Sequence, residues 1–260
     1  MSDHIIHVAD NFWNIRGKFK IAGLIDIGTH SSLVRRENGK FIFLDSYTLK
    51  GSLKQEVDRL TNDGQDVETV INLHPFHTVN VKWMHEHYPG AQHYGTARHL
   101  QKFPELDWQS LRSEDPELHD LFSGDIEFSV PRGVDFISTD ENVHFSSVLA
   151  FHRSSRTLHI DDTLLYIRLP SLLSWFGLSD AVSFHPTLSK VLEKRKGAAR
   201  DFIQWAEELA ERWKSAQNLC AAHTATLLAG DDHDASIHDR IIRALDRAGS
   251  TLSTHERKFG

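Results

Sequence analysis

The stretch Val70-Ile71-Asn72-Leu73-His74-Pro75-Phe76-His77 carries an apolar run straight into two histidines three positions apart. Residues 67–73 read as a strand buried on both faces. Pro75 restricts the backbone and favours a turn after it. On a tight turn, two imidazoles at this spacing can converge on one ion with Zn–N near ~2.0–2.1 Å. On spacing alone the alternative is a hydrogen-bonded or exposed pair, because chance pairs are expected in a chain with 18 histidines.

Outward from this point, strands and helices alternate. The first 45 residues read as β: residues 19–27 are strand-like, and Ser32-Leu33-Val34-Arg35 leads through Glu37-Asn38-Gly39-Lys40 into Phe41-Ile42-Phe43-Leu44. Asn-Gly between apolar runs is a strong hairpin signal. Leu53, Val57 and Leu60 give residues 49–60 helical spacing. Residues 79–87 and 97–103 read as helices and 91–94 as a strand. The polar segment 105–117 reads as a surface excursion. Strands are expected at 126–130, 134–137, 143–151, 157–161 and 219–222. Helices are expected over 186–215, broken near Gly197, and over 237–248. The alternation argues for layered α/β, and no linker-like stretch divides the chain, so residues 1–260 read as a single domain with a C-terminal helical extension over about 186–260.

Composition excludes several classes. The chain has 260 residues, 40% hydrophobic and 25% charged, which is the balance of a soluble globular protein. With 29 Lys plus Arg against 36 acids, the net charge of −7 argues against nucleic acid as a partner, since that binding rests on a basic surface. No apolar run approaches the ~20 residues that span a bilayer. A single cysteine, Cys220, and no export signal fit a cytoplasmic location.

Three further pieces place a candidate ligand beside a strand end, where α/β proteins assemble sites. They are Asn142-Val143-His144, Thr157-Leu158-His159-Ile160-Asp161-Asp162 and Leu219-Cys220-Ala221-Ala222-His223. Adjacent carboxylates repel unless a cation, a helix N-terminus or solvent separates them. His85, His87, His93 and His99 read as surface residues. Trp83, Trp175 and Phe176 could line a pocket mouth or pack a core, and Arg153 and Arg156 read as a solvated turn or an anion contact.

Taken together, strand–His-rich loop–helix, then His–strand–turn–strand–Asp, then strand–His resembles the metallo-β-lactamase superfamily over residues 20–225. Phe43-Leu44-Asp45 is similar to the family's Ile-Asp-x-Gly turn, and His144-Phe145-Ser146-Ser147-Val148 through to Asp162 is similar to its His-Thr-Pro-Gly-Ser strand pair. The resemblance implies a four-layer αβ/βα sandwich. It also implies a site of His74, His77, His144, Asp162 and His223, with Asp162 as bridging and water-orienting residue and Asn72 and Asp161 beside it. The family's first loop reads H-x-H-x-D-H. Aligned on the helix-ending step Tyr88-Pro89-Gly90-Ala91, Asn72 takes the first histidine's place and Phe76 the aspartate's. Each metal position thereby loses a ligand, which implies one divalent ion, zinc first and iron or manganese as alternatives, or none if the site has decayed. The implied activity is metal-dependent hydrolysis of a small-molecule substrate. A non-catalytic binding module and a non-haem iron redox protein are the alternatives.

Overall fold

The structure is a computed structural model that describes residues 3–18, 20–21, 25–26, 28–168, 180–223, 225–231 and 235–260. The chain divides into two compact units, Met1–Phe128 with His152–Ser155, and Ser129–Phe151 with Arg156–Gly260.

The first unit is built on a six-stranded sheet. Its strands are β1 (His4–Ala9), β2 (Phe12–Gly17), β5 (Thr29–Arg35), β6 (Phe41–Leu44), β7 (Val67–Ile71) and β8 (Gln92–Tyr94), hydrogen-bonded in that order. The short antiparallel pair β3 (Lys20–Ile21) and β4 (Ile25–Asp26) lies within the expected strand 19–27, whose residues 19, 22–24 and 27 fall outside the described residues. The hairpin β5–β6 closes as the sequence implies: Gly39 adopts φ 84°, and the Arg36 N–H donates to the Lys40 carbonyl at 2.8 Å. From β6 onward the sheet is parallel, with α1 (Gly51–Leu60) and α2 (Val81–His87) as crossovers. Leu53 and Val57 of α1 and Met84 of α2 pack with Phe43, Val70 and Tyr88 in one core. A Cβ at Gly17 would overlap the Tyr47 ring at 2.1 Å, so any larger residue there must displace that ring. Two helices, α3 (Ala97–Lys102) and α4 (Pro116–Phe122), follow β8. The excursion expected at 105–117 ends in α4, which starts at a proline suited to a first helical position.

The strand β9 (Ile126–Ser129) leads the chain into the second unit. There β10 (Leu149–His152), β11 (Thr157–Ile160), β14 (Asn218–Ala221) and β15 (Thr226–Leu227) are neighbours in the order β15-β14-β11-β10. A separate antiparallel ribbon joins β12 (Leu164–Ile167) to β13 (Ala181–Phe184). Helices α5 (Leu188–Val191) and α6 (Ala198–Arg212) divide the expected helical stretch near Gly197, the N-cap of α6, which adopts a left-handed φ of 83° open to glycine. The apolar face of α6, Phe202, Trp205 and Leu209, is buried with Trp213 in this unit's core. The last helix, α7 (Ile237–Phe259), is capped by Ser236 and runs 11 residues beyond the expected end at 248. Gly249, Ser250 and Thr251 are weak helix formers, but burial of Leu252 and His255 carries the helix past them.

Two expected strands differ. Residues 134–137 make only an isolated bridge, Val134 to Leu192. In 143–151 the ladder begins at Leu149. Upstream, the Thr163 hydroxyl takes the backbone groups instead, donating to the Phe145 carbonyl at 2.9 Å and accepting from the Ser147 N–H at 3.0 Å.

Candidate metal centre

In the first unit the parallel register sets the loop. Leu44 pairs with Ile71, and Ile71 with Tyr94. Asp45 and Asn72 therefore leave their strands side by side. Asp45 is buried and adopts φ 61°, a left-handed conformation that is uncommon for a residue with a side chain. Its carboxylate accepts the Leu73 N–H at 2.8 Å, and its carbonyl accepts the Ser31 hydroxyl at 2.7 Å. Asn72 is fully buried; its amide donates to the Tyr94 carbonyl at 3.1 Å and accepts the Ser46 hydroxyl at 2.6 Å. Asn72 is thus a strut of the sheet end.

Beyond these anchors the chain turns, with the His77 N–H donating to the His74 carbonyl at 3.0 Å. The His74 and His77 rings stack with centroids 4.0 Å apart. The Phe76 N–H donates to His74 Nδ1 at 3.1 Å. Phe76, expected from the motif alignment in the aspartate's place, carries the Arg98 guanidinium over its ring at 4.5 Å. That corner therefore presents a cation and a phenyl ring.

In the second unit register again explains proximity. Parallel β11 and β14 align Ile160 with Ala221. Two residues on, Asp162 faces His223, and Asp162 Oδ1 lies 2.9 Å from His223 Nε2. The carboxylate is nearly buried, at 5% exposure against 16% for the imidazole. Asp161 is fully buried beside it. His144 is half-buried on the non-ladder segment, and its Nε2–H donates to the Glu141 carbonyl at 2.9 Å.

His185 is a further candidate that no sequence motif marks. It follows β13 and interacts electrostatically with Asp162, His223 and His144. Burial lowers its pKa, and Asp162 works against that shift. The signal was present only as Ser183-Phe184-His185-Pro186 at the mouth of an expected helix, a place for which the motif has no slot. Asp45 is marked in the sequence only by its turn; its backbone conformation is not legible there.

Three of the four histidines expected at the surface need correction. His93 and His99 are buried, at 3% and 0% exposure, and His85 is half-buried; His87 alone is exposed, its ring stacked on Trp83 at 3.9 Å. Arg153 pairs with Glu127 at 2.7 Å. Arg156 has φ 52°, and its carbonyl accepts the N–H groups of Gln217 and Asn218. Trp83 packs against the first unit's core, while Trp175 and Phe176 lie outside the described residues. Among the described residues no helix is long and apolar enough to cross a membrane.

No family model matches the chain, and no curated protein matches it by sequence. Solved structures do. A DIM-1 metallo-β-lactamase has a TM-score of 0.60 at 15% identity, covering 96% of this chain and 98% of its own. A metallo-β-lactamase from Pontibacter korlensis gives 0.58 at 9%, covering 97% and 99%. One from Erythrobacter litoralis gives 0.60 at 11%, covering 95% and 92%. The mixed α/β class expected from the sequence stands, and with structural neighbours matched along nearly its whole length, the chain has the metallo-β-lactamase fold.

Proposed function

We propose that this protein is a metal-dependent hydrolase with one divalent ion held at Asp162 and His223, with His74 and His77 as further candidate donors. The observation that carries the reading is the Asp162–His223 pair, set by strand register at the carboxyl ends of parallel neighbours. Imidazole and carboxylate donors suit Zn²⁺, with Fe²⁺ and Mn²⁺ as alternatives. Such an ion supplies Lewis-acid polarisation of a substrate oxygen and brings the pKa of a water towards ~7. The chain's own residues do the rest. The His74–His77 turn is held from beneath by Asp45 and Asn72. Asp162 orients donors at the site, and Phe76 with Arg98 disfavours a second cation. The substrate is a small molecule with a hydrolysable ester, amide or phosphoester. A cytoplasmic setting, in keeping with the lone buried thiol of Cys220, belongs to the same proposal.

Calorimetric titration of untagged, metal-free protein with ZnSO₄ tests this. The expected result is one tight equivalent, rising towards two in Phe76→Asp. Two tight equivalents in the unmutated chain would overturn the single-ion reading. No binding of zinc, iron or manganese would leave a non-catalytic binding module, and iron as the metal in protein as isolated would favour redox chemistry.

A further inference from the structure

We propose that His185 is a ligand of this ion through Nε2, in the place that the motif match gives to His144. The proposal rests on the single-ion reading above. Three observations within the second unit carry it.

The first is register. In the β12–β13 ribbon Leu164 pairs with Phe184 in antiparallel sense. The residue after Phe184 therefore abuts the one before Leu164. His185 leaves its strand against the Asp162–Thr163 corner, just as the β11–β14 pairing brings His223 to that corner. Its electrostatic coupling to Asp162, His223 and His144 agrees with this placement.

The second is how the His185 ring is held. His185 Nδ1 lies 2.7 Å from the Thr187 hydroxyl and accepts the Thr187 N–H at 3.3 Å. The same hydroxyl donates to the His144 carbonyl at 3.1 Å. Both contacts grip the ring at Nδ1, so Nε2 is the nitrogen left for a ligand. A ligating histidine commonly donates its other N–H to an oxygen that fixes ring orientation and tautomer. Thr187 Oγ1 is the oxygen that would take this role once the ring proton moves from Nε2 to Nδ1.

The third concerns His144. A carbonyl can only accept, so the contact of Nε2 with the Glu141 carbonyl at 2.9 Å commits that nitrogen as a donor to its own loop. The His144 backbone still has a part, because its carbonyl receives the Thr187 proton and so secures the His185 ring.

Metal-free full-length protein is titrated with Zn²⁺ by calorimetry and with Co²⁺ by visible absorption. His185→Ala and His185→Asn are expected to weaken zinc binding by about 10-fold or more and to change the cobalt d–d bands. Thr187→Val should weaken zinc a few-fold, by about 3-fold, since it removes only the orienting hydroxyl. His144→Ala, which keeps the backbone carbonyl, should stay within about 2-fold of wild type. The asparagine variant retains a polar group near Thr187 and guards against misfolding, checked by circular dichroism. Wild-type binding with both His185 variants unchanged would overturn this inference alone. Loss on His144→Ala with His185→Ala silent would return the ligand role to His144. A wild type that binds neither metal would overturn the single-ion reading and this inference with it.

Discussion

Two histidine-rich regions of this molecule use the same side chain in opposite ways. Around α2 and α3, His85 stacks on His93 with ring centroids 3.8 Å apart, and Trp108 meets His85 edge-on at 4.5 Å. His93 Nε2 donates to the Tyr88 carbonyl at 2.9 Å, and His99 Nδ1 receives the Thr96 N–H at 3.2 Å. Burial lowers the pKa of all three, to about 4 at His85 and about 3 at His99. These imidazoles pack as neutral aromatic rings. Around the β11 and β14 ends, by contrast, His223 meets a nearly buried carboxylate at 2.9 Å. The residue type is shared and the neighbour differs. Where burial dominates, an imidazole stays neutral; where a nearly buried carboxylate joins it, the pair offers the donor types that a metal cation takes.

The sharpest way to break the contrast is to remove the carboxylate. Asp162→Asn should lower zinc affinity by about 100-fold or more, measured by competition with a chelating dye, while His93→Gln leaves it unchanged. Equal losses in both would mean that the α2–α3 histidines hold metal too. A smaller effect tests the strut. Ser46→Ala removes the 2.6 Å hydrogen bond to the fully buried Asn72 and should cost about 1 kcal/mol in urea unfolding of the metal-free protein. No loss of stability would mean that Asn72 is not held through Ser46.

The smallest effect is the pH dependence of the packed histidines. His85 and His93 have folded pKa values below that of the unfolded chain, near 6.5. The unfolded state therefore binds more protons as pH falls from about 6.5 towards about 4, the His85 value, and stability is lost across that window. The slope from His85 should fall well under the ~1.4 kcal/mol per pH unit of one fully linked proton, because its ring is only half-buried and solvent screens it. Urea midpoints at pH 7, 6 and 5 should decline, less steeply in His85→Phe. A slope unchanged in that variant would assign the proton uptake elsewhere.

Much of this molecule was legible from its sequence because the signals were local. Asn38-Gly39 fixes a hairpin, and Phe41-Ile42-Phe43-Leu44 and Val67 to Ile71 announce buried strands. The α1 spacing of Leu53 and Val57 announces the helix between them. The opening strand β1 lacked a signal of this kind, since its residues are half-buried or exposed. The burial of His93 and His99 was hidden because burial of a polar ring depends on partners elsewhere in the chain. His185 was hidden for a related reason. Its place at the Asp162 corner is set by the pairing of Leu164 with Phe184, a contact between strands that no motif records.

The left-handed turn at Asp45 has one more consequence. Its carboxylate and carbonyl tie the Leu73 N–H and the Ser31 hydroxyl to the end of β6. The entropy of ordering the turn that carries His74 is therefore lost when the sheet forms, not when an ion arrives. Capture at such a turn selects by shape. On the single-ion reading, an ion whose preferred angles disagree with the two imidazoles would have to deform paired strands to be held, so discrimination among metals of similar affinity would lie in the backbone as well as in the donors.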